Sequence, residues 1–329
     1  MARVVRLLAP HELVFEDEFL ASASPGELVC ETIVTALSPG TELAAYVGKP
    51  PLRPSVVYPR TQGYCNVARV VESYADGYAV GDRVLSFTSH RDRFVLPASD
   101  VLYRLGGDDM AGEIACAYLY HLGYNAVLRS GIRPGSKVLV VGLGALGLTS
   151  CAMAAVAGAD VYALSDHAQP AALAMQMGAS AVFARSDGAA MAESLWPGAD
   201  VVIFTTDAWT DWEIALRVSA PNATIAVLGF PGRDSAPGHF NPLASQWFYM
   251  KQLRIEAVGW SPEHDDSRNF LRFNERANIA WLAKLIGQRR IDPQLIISGV
   301  YPATDISRAY ADLLARVGSP VTFLLEWHA

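Results

Sequence analysis

Two hydrophobic rhythms share this chain and divide it into three stretches. From residue 1 to about 125, short apolar runs are separated by Gly, Pro and Asp turns. Leu28–Leu37 alternates as a strand and runs into Ser38-Pro39-Gly40-Thr41-Glu42, which reads as a turn. Val67–Val71, Val84–Phe87, Phe94–Leu96 and Val101–Leu105 read as further short strands. Many short strands punctuated in this way predict a small barrel or sandwich. Ala111–Leu128 then reads as one helix, with apolar residues on several faces.

The rhythm changes at Lys137. Val138–Val141 is a continuous apolar run, as expected of a strand buried on both faces of a parallel sheet. It meets Gly142-Leu143-Gly144-Ala145-Leu146-Gly147, a G-x-G-x-x-G, and then Leu148–Val156, which contains no helix breaker. In a strand-turn-helix setting each glycine has a task. Gly142 permits the turn, Gly144 clears space for a pyrophosphate, and Gly147 lets helix and strand pack closely. The new helix aims its first N–H groups at the phosphates, beside Ala145 and Leu146. An empty tight turn is the bland alternative, and the flanking elements favour a dinucleotide. Strands at 160–164, 181–183, 200–204 and 223–228 follow, with helices at Gln169–Met177 and Trp212–Val218 between them. This alternation predicts a doubly wound parallel sheet, closed by Leu253–Val258.

After Gly259 the pattern changes once more. Asn274–Leu285 reads as an amphipathic helix, Leu295–Val300 and Val321–Glu326 as strands, and Asp305–Arg316 as a helix capped by Asp305. The expected organisation is a first domain over 1–125, a nucleotide-binding domain over 126–264, and a return to the first domain over 265–329.

Composition narrows the partners. The 329 residues carry a net charge of −7, which argues against nucleic acid and anionic membranes. No apolar run is long enough to span a bilayer, and charge interrupts the N-terminus too early for a signal peptide. Cys30, Cys65, Cys116 and Cys151 are scattered without a C-x-x-C, so a reduced, cytoplasmic protein is expected.

The order of these signals resembles the medium-chain dehydrogenase/reductase superfamily over nearly the whole chain. The likeness is carried by Ala79–Val84 (AVGDRV), Ile132–Val140 (IRPGSKVLV), Gly142–Gly147, Gly178-Ala179, Lys251–Ile255 (KQLRI) and Ser298–Tyr310. It implies an α/β chain with a GroES-like β-rich catalytic domain and an inserted Rossmann domain. It also implies an NAD(P)-dependent oxidoreductase acting on a small molecule, and a homodimer formed along the last Rossmann strand. Ser38–Glu42 is further similar to a turn in the bacteriochlorophyllide dehydrogenase-like branch, which implies a hydrophobic substrate.

The resemblance also locates where zinc would be bound. Those positions hold Pro39, Tyr64 and Tyr118, with Cys65 in the neighbouring slot, so no zinc is expected. A different set built from Cys65, His90, His121 and Glu42 is the remaining metal alternative. Without zinc, Tyr64 is the first candidate to donate a proton to a developing alkoxide. Thr41 is the candidate relay, and Glu42, Tyr118, His121 and His90 are candidates to complete the site. The bland readings are a pocket wall for Tyr64, a satisfied helix residue for His121 and a surface loop for His90. Tyr46, Tyr58, Trp247, Phe248, Trp260 and Phe270 are further aromatic candidates for the substrate pocket, or for core and dimer contacts.

For the cofactor, the second strand ends in Ser165-Asp166-His167. Ser165 leaves room for a 2′-phosphate, Asp166 would repel one, and Arg185 could reach it or be an ordinary surface residue. The reading favours NADP and leaves NAD open. Thr205, Thr206, Leu228, Gly229 and Phe230 end later strands and are expected at the cofactor. Three activities remain. The first is carbonyl/alcohol or imine-like chemistry, the second is C=C reduction of the enoyl or quinone kind, and the third is a retired, NADPH-binding sensor.

Overall fold

The computed structural model describes residues 1–49, 57–233 and 241–327. The chain forms two compact units, Met1–Tyr118 with Ile279–Ala329, and Leu119–Asn278. In chain order the first part holds β1 (Ala2–Ala9), β2 (Glu12–Glu18), β3 (Glu27–Ala36), α1 (Pro39–Tyr46), β4 (Arg60–Thr61), β5 (Asn66–Ser73), β6 (Arg83–Ser86), β7 (Arg93–Pro97), β8 (Tyr103–Arg104) and α2 (Ala111–Ala115). Then come α3 (Ala117–Ser130), β9 (Lys137–Val141), α4 (Ala145–Val156), β10 (Asp160–Leu164), α5 (Ala168–Gln176), β11 (Ala179–Phe183), α6 (Gly188–Leu195), β12 (Ala199–Phe204), α7 (Trp209–Val218), β13 (Ser219–Val227) and β14 (Arg254–Ala257). The chain closes with α8 (Glu275–Gly287), β15 (Ile297–Pro302), α9 (Ile306–Ala315) and β16 (Thr322–Glu326).

The first unit is built around β3, which pairs antiparallel with β5, β7 and β16. Its register sets Cys30 opposite Val70 and Phe94. With Leu28, Ala68, Val84 and Leu96 these side chains form one core. A second core gathers Val5, Leu37, Phe323 and Leu325 around the apolar face of α9, which presents Ile306, Ala309, Tyr310 and Leu313. The helix face expected from the sequence is thus observed, except that Leu314 is exposed and Ala309 is buried in its stead. Asp305 stands at the N-cap position without making a side-chain cap.

Several local expectations are corrected. Ser38–Glu42 is not an isolated turn: Ser38 is the N-cap and Pro39 opens α1. Proline suits the first helical position because the N–H it lacks would find no partner there. The helix expected over Ala111–Leu128 breaks at Cys116 into α2 and α3. Of Val101–Leu105, only Tyr103–Arg104 pairs as a strand. The β1–β2 hairpin carried no expectation. β1 is flanked by β2 and β4 and buries Val4, Val5 and Leu7, so its pattern lacks clean alternation.

The second unit is a parallel sheet in the order β11-β10-β9-β12-β13-β14. Strand order reverses between β9 and β12, the switch point at which such sheets bind ligands at their carboxyl ends. Val138–Val141 are all fully buried, as the continuous apolar run predicts. One face of the sheet packs Leu139, Val141, Leu164 and Phe204 against Trp212 and Leu216 of α7. Among the described residues no helix is long and apolar enough to cross a membrane.

Phe204 and Trp212 meet edge to face, with centroids 4.9 Å apart. Phe204→Ala should therefore destabilise the second unit by about 3–5 kcal/mol. Urea unfolding followed by tryptophan fluorescence checks this.

Candidate functional site

In the second unit the glycine turn sits at the switch point. Gly142 has φ +91°, and a Cβ there would lie 2.3 Å from Thr206 Cγ2. A Cβ on Gly147 would lie 1.8 Å from the Gly142 carbonyl oxygen, so only glycine lets α4 start this close to β9. Thr205 joins the two strand ends, its hydroxyl donating to the Val141 carbonyl at 2.8 Å and the Gly142 carbonyl at 3.2 Å. Gly144 is the N-cap of α4 and offers no side-chain cap. A Cβ added at Gly144 meets nothing within 4 Å. The result is an uncapped helix N-terminus, beginning at Ala145 and Leu146, that faces open space. Its unsatisfied N–H groups and positive dipole end favour a phosphate.

The next strand ends complete this edge. The Leu228 and Gly229 N–H groups both donate to the Phe204 carbonyl at 2.9 Å. The Phe230 N–H donates to Asp207 Oδ1 at 3.1 Å. The Thr206 hydroxyl is buried with no hydrogen-bond partner among the described residues. A bound group at the switch point would supply one, so these residues fit a dinucleotide.

At the end of β10, the His167 N–H donates to the Ser165 hydroxyl oxygen at 3.2 Å. Arg185 is not a free surface cation. Its Nε and Nη2 grip Asp211 at 2.7 and 2.8 Å, and its Nη1 meets Asp166 at 2.5 Å. Asp166 also accepts the Arg185 backbone N–H at 2.8 Å. These bonds hold the Asp166 carboxyl below its usual range, the backbone N–H contributing most. His121 lies in this unit, with Nε2 3.2 Å from the Ser261 hydroxyl and Nδ1 3.9 Å from Glu275.

In the first unit, hydroxyl and aromatic groups gather around Tyr64. The Tyr64 hydroxyl donates to the Ser38 hydroxyl oxygen, and the Thr41 hydroxyl is its other hydrogen-bond partner. The Tyr64 ring meets Tyr118 edge to face at 4.8 Å, and Tyr118 meets Phe87 at 5.7 Å. Burial, chiefly, pushes the Tyr64 phenol far above its usual range, and the bonds from Ser38 and Thr41 oppose this only in part. Thr41, Tyr64 and Tyr118 are thus brought together as expected, joined by Ser38 and Phe87, which sequence reasoning did not single out. Ser38 was legible only as part of the Ser-Pro-Gly-Thr-Glu turn.

Glu42 and His90 meet in the interior of the first unit. Neither is at the surface: they are 2% and 0% exposed, and His90 Nε2 lies 2.9 Å from Glu42 Oε2. The surface-loop reading of His90 is therefore replaced by a buried hydrogen bond to Glu42. Burial, with Glu42 and Cys116 nearby, pushes the Cys65 thiol well up. Among the described residues no three of His, Cys, Asp and Glu converge on a metal-sized space. Among the aromatic candidates, Tyr46 packs on Tyr310 in the core, and Trp260 and Phe270 are exposed.

Comparison with known proteins places the fold beside that of known dehydrogenases. Residues 145–276 match the zinc-binding dehydrogenase family. The chain is 26% identical over 159 residues to NADP-dependent alcohol dehydrogenase 6 of Saccharomyces cerevisiae, covering 48% of this chain and 42% of that one. It is 31% identical over 201 residues to a probable formaldehyde dehydrogenase of Bacillus subtilis, covering 61% and 54%. It is 37% identical over 81 residues to 2-desacetyl-2-hydroxyethyl bacteriochlorophyllide A dehydrogenase of Cereibacter sphaeroides, covering 24% and 26%. The chain thus spans about half the length of the first two relatives and a quarter of the third. Among solved structures, 2R,3R-butanediol dehydrogenase of Bacillus subtilis superposes with a TM-score of 0.82 at 17% identity, covering 100% of both chains. The α/β fold, a β-rich unit with a Rossmann unit, is therefore shared with that structure over the full length.

Two predictions follow from the second unit. Gly144→Val fills space that nothing else occupies, so it should leave the unfolding temperature unchanged while weakening NADPH binding at least about tenfold. Gly147→Ala should lower both, because its Cβ meets backbone. Thermal unfolding with fluorescence titration of NADPH separates the two variants. Burial lowers His121 from 6.5 to about 4. The unfolded chain then takes up the proton first, so this stability is complete above pH 6.5 and lost as pH falls toward 4. The loss is about 3 kcal/mol and should be absent from His121→Gln, as unfolding followed from pH 7 to pH 4 will show.

Proposed function

We propose that this chain is a zinc-independent oxidoreductase of the medium-chain dehydrogenase/reductase superfamily, using NADP(H) to interconvert a carbonyl, or an imine-like C=N, and its reduced form. One observation carries the reading: an uncapped helix N-terminus, cleared by Gly144, at the switch point of a six-stranded parallel sheet. The match of residues 145–276 to zinc-binding dehydrogenases supports the oxidoreductase part of this reading.

The α4 N-terminus would hold the pyrophosphate, and Thr205, Thr206, Leu228, Gly229 and Phe230 would line the rest of the dinucleotide. That cofactor, when bound, supplies or accepts the hydride. The chain's own task is the proton. In the reducing direction Tyr64 gives its phenolic proton to the oxygen on which charge develops, and Thr41 and Ser38 return it through their hydroxyls. Burial keeps that phenol protonated across the working pH range, which suits a donor. For the cofactor choice, Ser165 places no carboxylate of its own at the 2′ position, and Asp166 is drawn onto Arg185. The Saccharomyces relative is named as NADP-dependent, which supports the same choice.

Zinc does not fit the residues present. Pro39 has no donor atom, and Tyr64 and Tyr118 pack on each other with a phenol that resists ionisation. The likeness of Ser38–Glu42 to the bacteriochlorophyllide branch, with the short match to that dehydrogenase, supports a hydrophobic substrate of biosynthetic type. Four buried free cysteines support a reducing, cytoplasmic setting. A homodimer pairing along β14 is supported by that strand's place at the edge of the sheet.

The test is a panel of aldehydes, ketones, imines and enones with NADPH and NADH, run with a metal assay on the purified protein. NADPH oxidation with carbonyls or imines, and no stoichiometric zinc, is expected. Turnover of enones alone would favour C=C reduction, and binding without turnover would favour a sensor. A clear preference for NADH, abolished by Asp166→Ala, would overturn the NADP assignment. Tyr64→Phe should lower kcat by about 10²–10⁴-fold at unchanged NADPH affinity.

A further inference from the structure

Glu42 is buried without an arginine as its bonding partner, unlike Asp211, which takes Arg185, and Glu113, which takes Arg289. It is satisfied by three donors, one from the start of its own helix and two from distant parts of the chain. The Ser38 N–H reaches Oε1 at 2.7 Å, His90 Nε2 reaches Oε2 at 2.9 Å, and the Tyr310 hydroxyl also donates to Oε2. A buried carboxylate with fewer donors would cost several kcal/mol, so such a set is kept whole or lost together. The charge of Arg60 also reaches Tyr310.

Behind His90 the order continues. Its Nδ1 lies 2.8 Å from the Thr35 hydroxyl oxygen, which also accepts from Trp327 Nε1–H at 3.1 Å. Glu42 Oε2, a carboxylate oxygen, can only accept from the ring nitrogen that faces it. The ring hydrogen then sits on Nε2 and points at Glu42. The imidazole fills the space that a Cβ on Gly63 would need, 2.5 Å from the ring, so glycine at position 63 makes room for it. Trp327, Thr35, His90, Tyr310 and Glu42 therefore form one hydrogen-bonded array with an outlet toward Tyr64.

That outlet is Ser38. Its N–H is held by Glu42, and its hydroxyl oxygen accepts from Tyr64. We propose that Glu42, His90 and Tyr310 are positioning residues, which hold Ser38 and the opening of α1 and so fix the Tyr64 hydroxyl and its Thr41 neighbour for proton delivery. This rests on Tyr64 being the donor. It gives Glu42 and His90 a role away from substrate, and it brings in Tyr310, which lies 246 positions beyond Tyr64 and carries no sequence motif for this task.

The test incorporates 3-fluorotyrosine at position 64 and reads its fluorine resonance in otherwise unaltered protein and in Tyr310→Phe, which deletes one buried oxygen, and Glu42→Gln. Kinetics with NADPH and 4-nitrobenzaldehyde as the probe carbonyl accompany it. The expected result is a shifted or split Tyr64 resonance in both variants. With it should come a fall in kcat of about tenfold at unchanged KM and NADPH affinity. In a Tyr64→Phe background, neither substitution should lower kcat further. An unchanged resonance, or losses that simply add to that of Tyr64→Phe, overturns the positioning role while leaving the donor in place. Full turnover by Tyr64→Phe alone overturns the donor reading and this inference with it. Should Glu42→Gln fail to fold, Tyr310→Phe carries the test.

Discussion

The close approach of α4 to the carboxyl ends of β9 and β12 is the constraint on which the second unit depends. A single methyl group at Gly147 would stand 1.8 Å from the Gly142 carbonyl oxygen. That contact lets the helix begin directly over the switch point, with its first N–H groups unspent. The fully buried β9 anchors the turn from below, and Thr205 ties it to the neighbouring strand. Packing and ligand chemistry therefore impose the same demand on the same glycines.

The first unit answers a different problem. A carboxylate and an imidazole are buried together, and the unit tolerates them because both oxygens of the one and both nitrogens of the other have hydrogen-bond partners. Such an array is stiff. Losing one member leaves another unsatisfied in a low-dielectric setting, so its members act as a group. Stiffness is an asset where a hydroxyl must be held in one orientation, since misplacing a reacting group by about 1 Å can cost about two orders of magnitude in rate. The Ser38 residue joins the stiff interior to the half-buried Tyr64.

Much of this was legible in the sequence because it is local. The apolar run at Val138, the glycine spacing after it, and the regular alternation of strands and helices each encode structure within a few residues. The parallel sheet and the apolar face of α9 follow from such patterns; the order of the strands in the sheet does not. What misled was also local. Ser-Pro-Gly-Thr-Glu has turn-like composition, yet a helix starts there, since proline at its first position favours helix as readily as turn. The β1–β2 hairpin was missed because β1 buries consecutive residues, Val4 and Val5, on opposite faces, so its pattern does not alternate.

Site chemistry divided along the same line. That Tyr64, Thr41 and Tyr118 belong together was readable from their places in the resembled motifs. The long-range partners of Glu42 were not, since His90 and Tyr310 share no spacing with it and meet it only when the loop between β6 and β7 and α9 have packed on α1. Arg185 likewise looked like a free cation, because nothing in its neighbourhood of sequence announces Asp211 across the sheet edge. The sequence by itself determined the elements and the dinucleotide turn, because backbone conformation and hydrophobic period are near-neighbour properties. Only the tertiary structure decided which buried polar groups satisfy one another. Matching donors to acceptors inside a core is a long-range condition that no local pattern records.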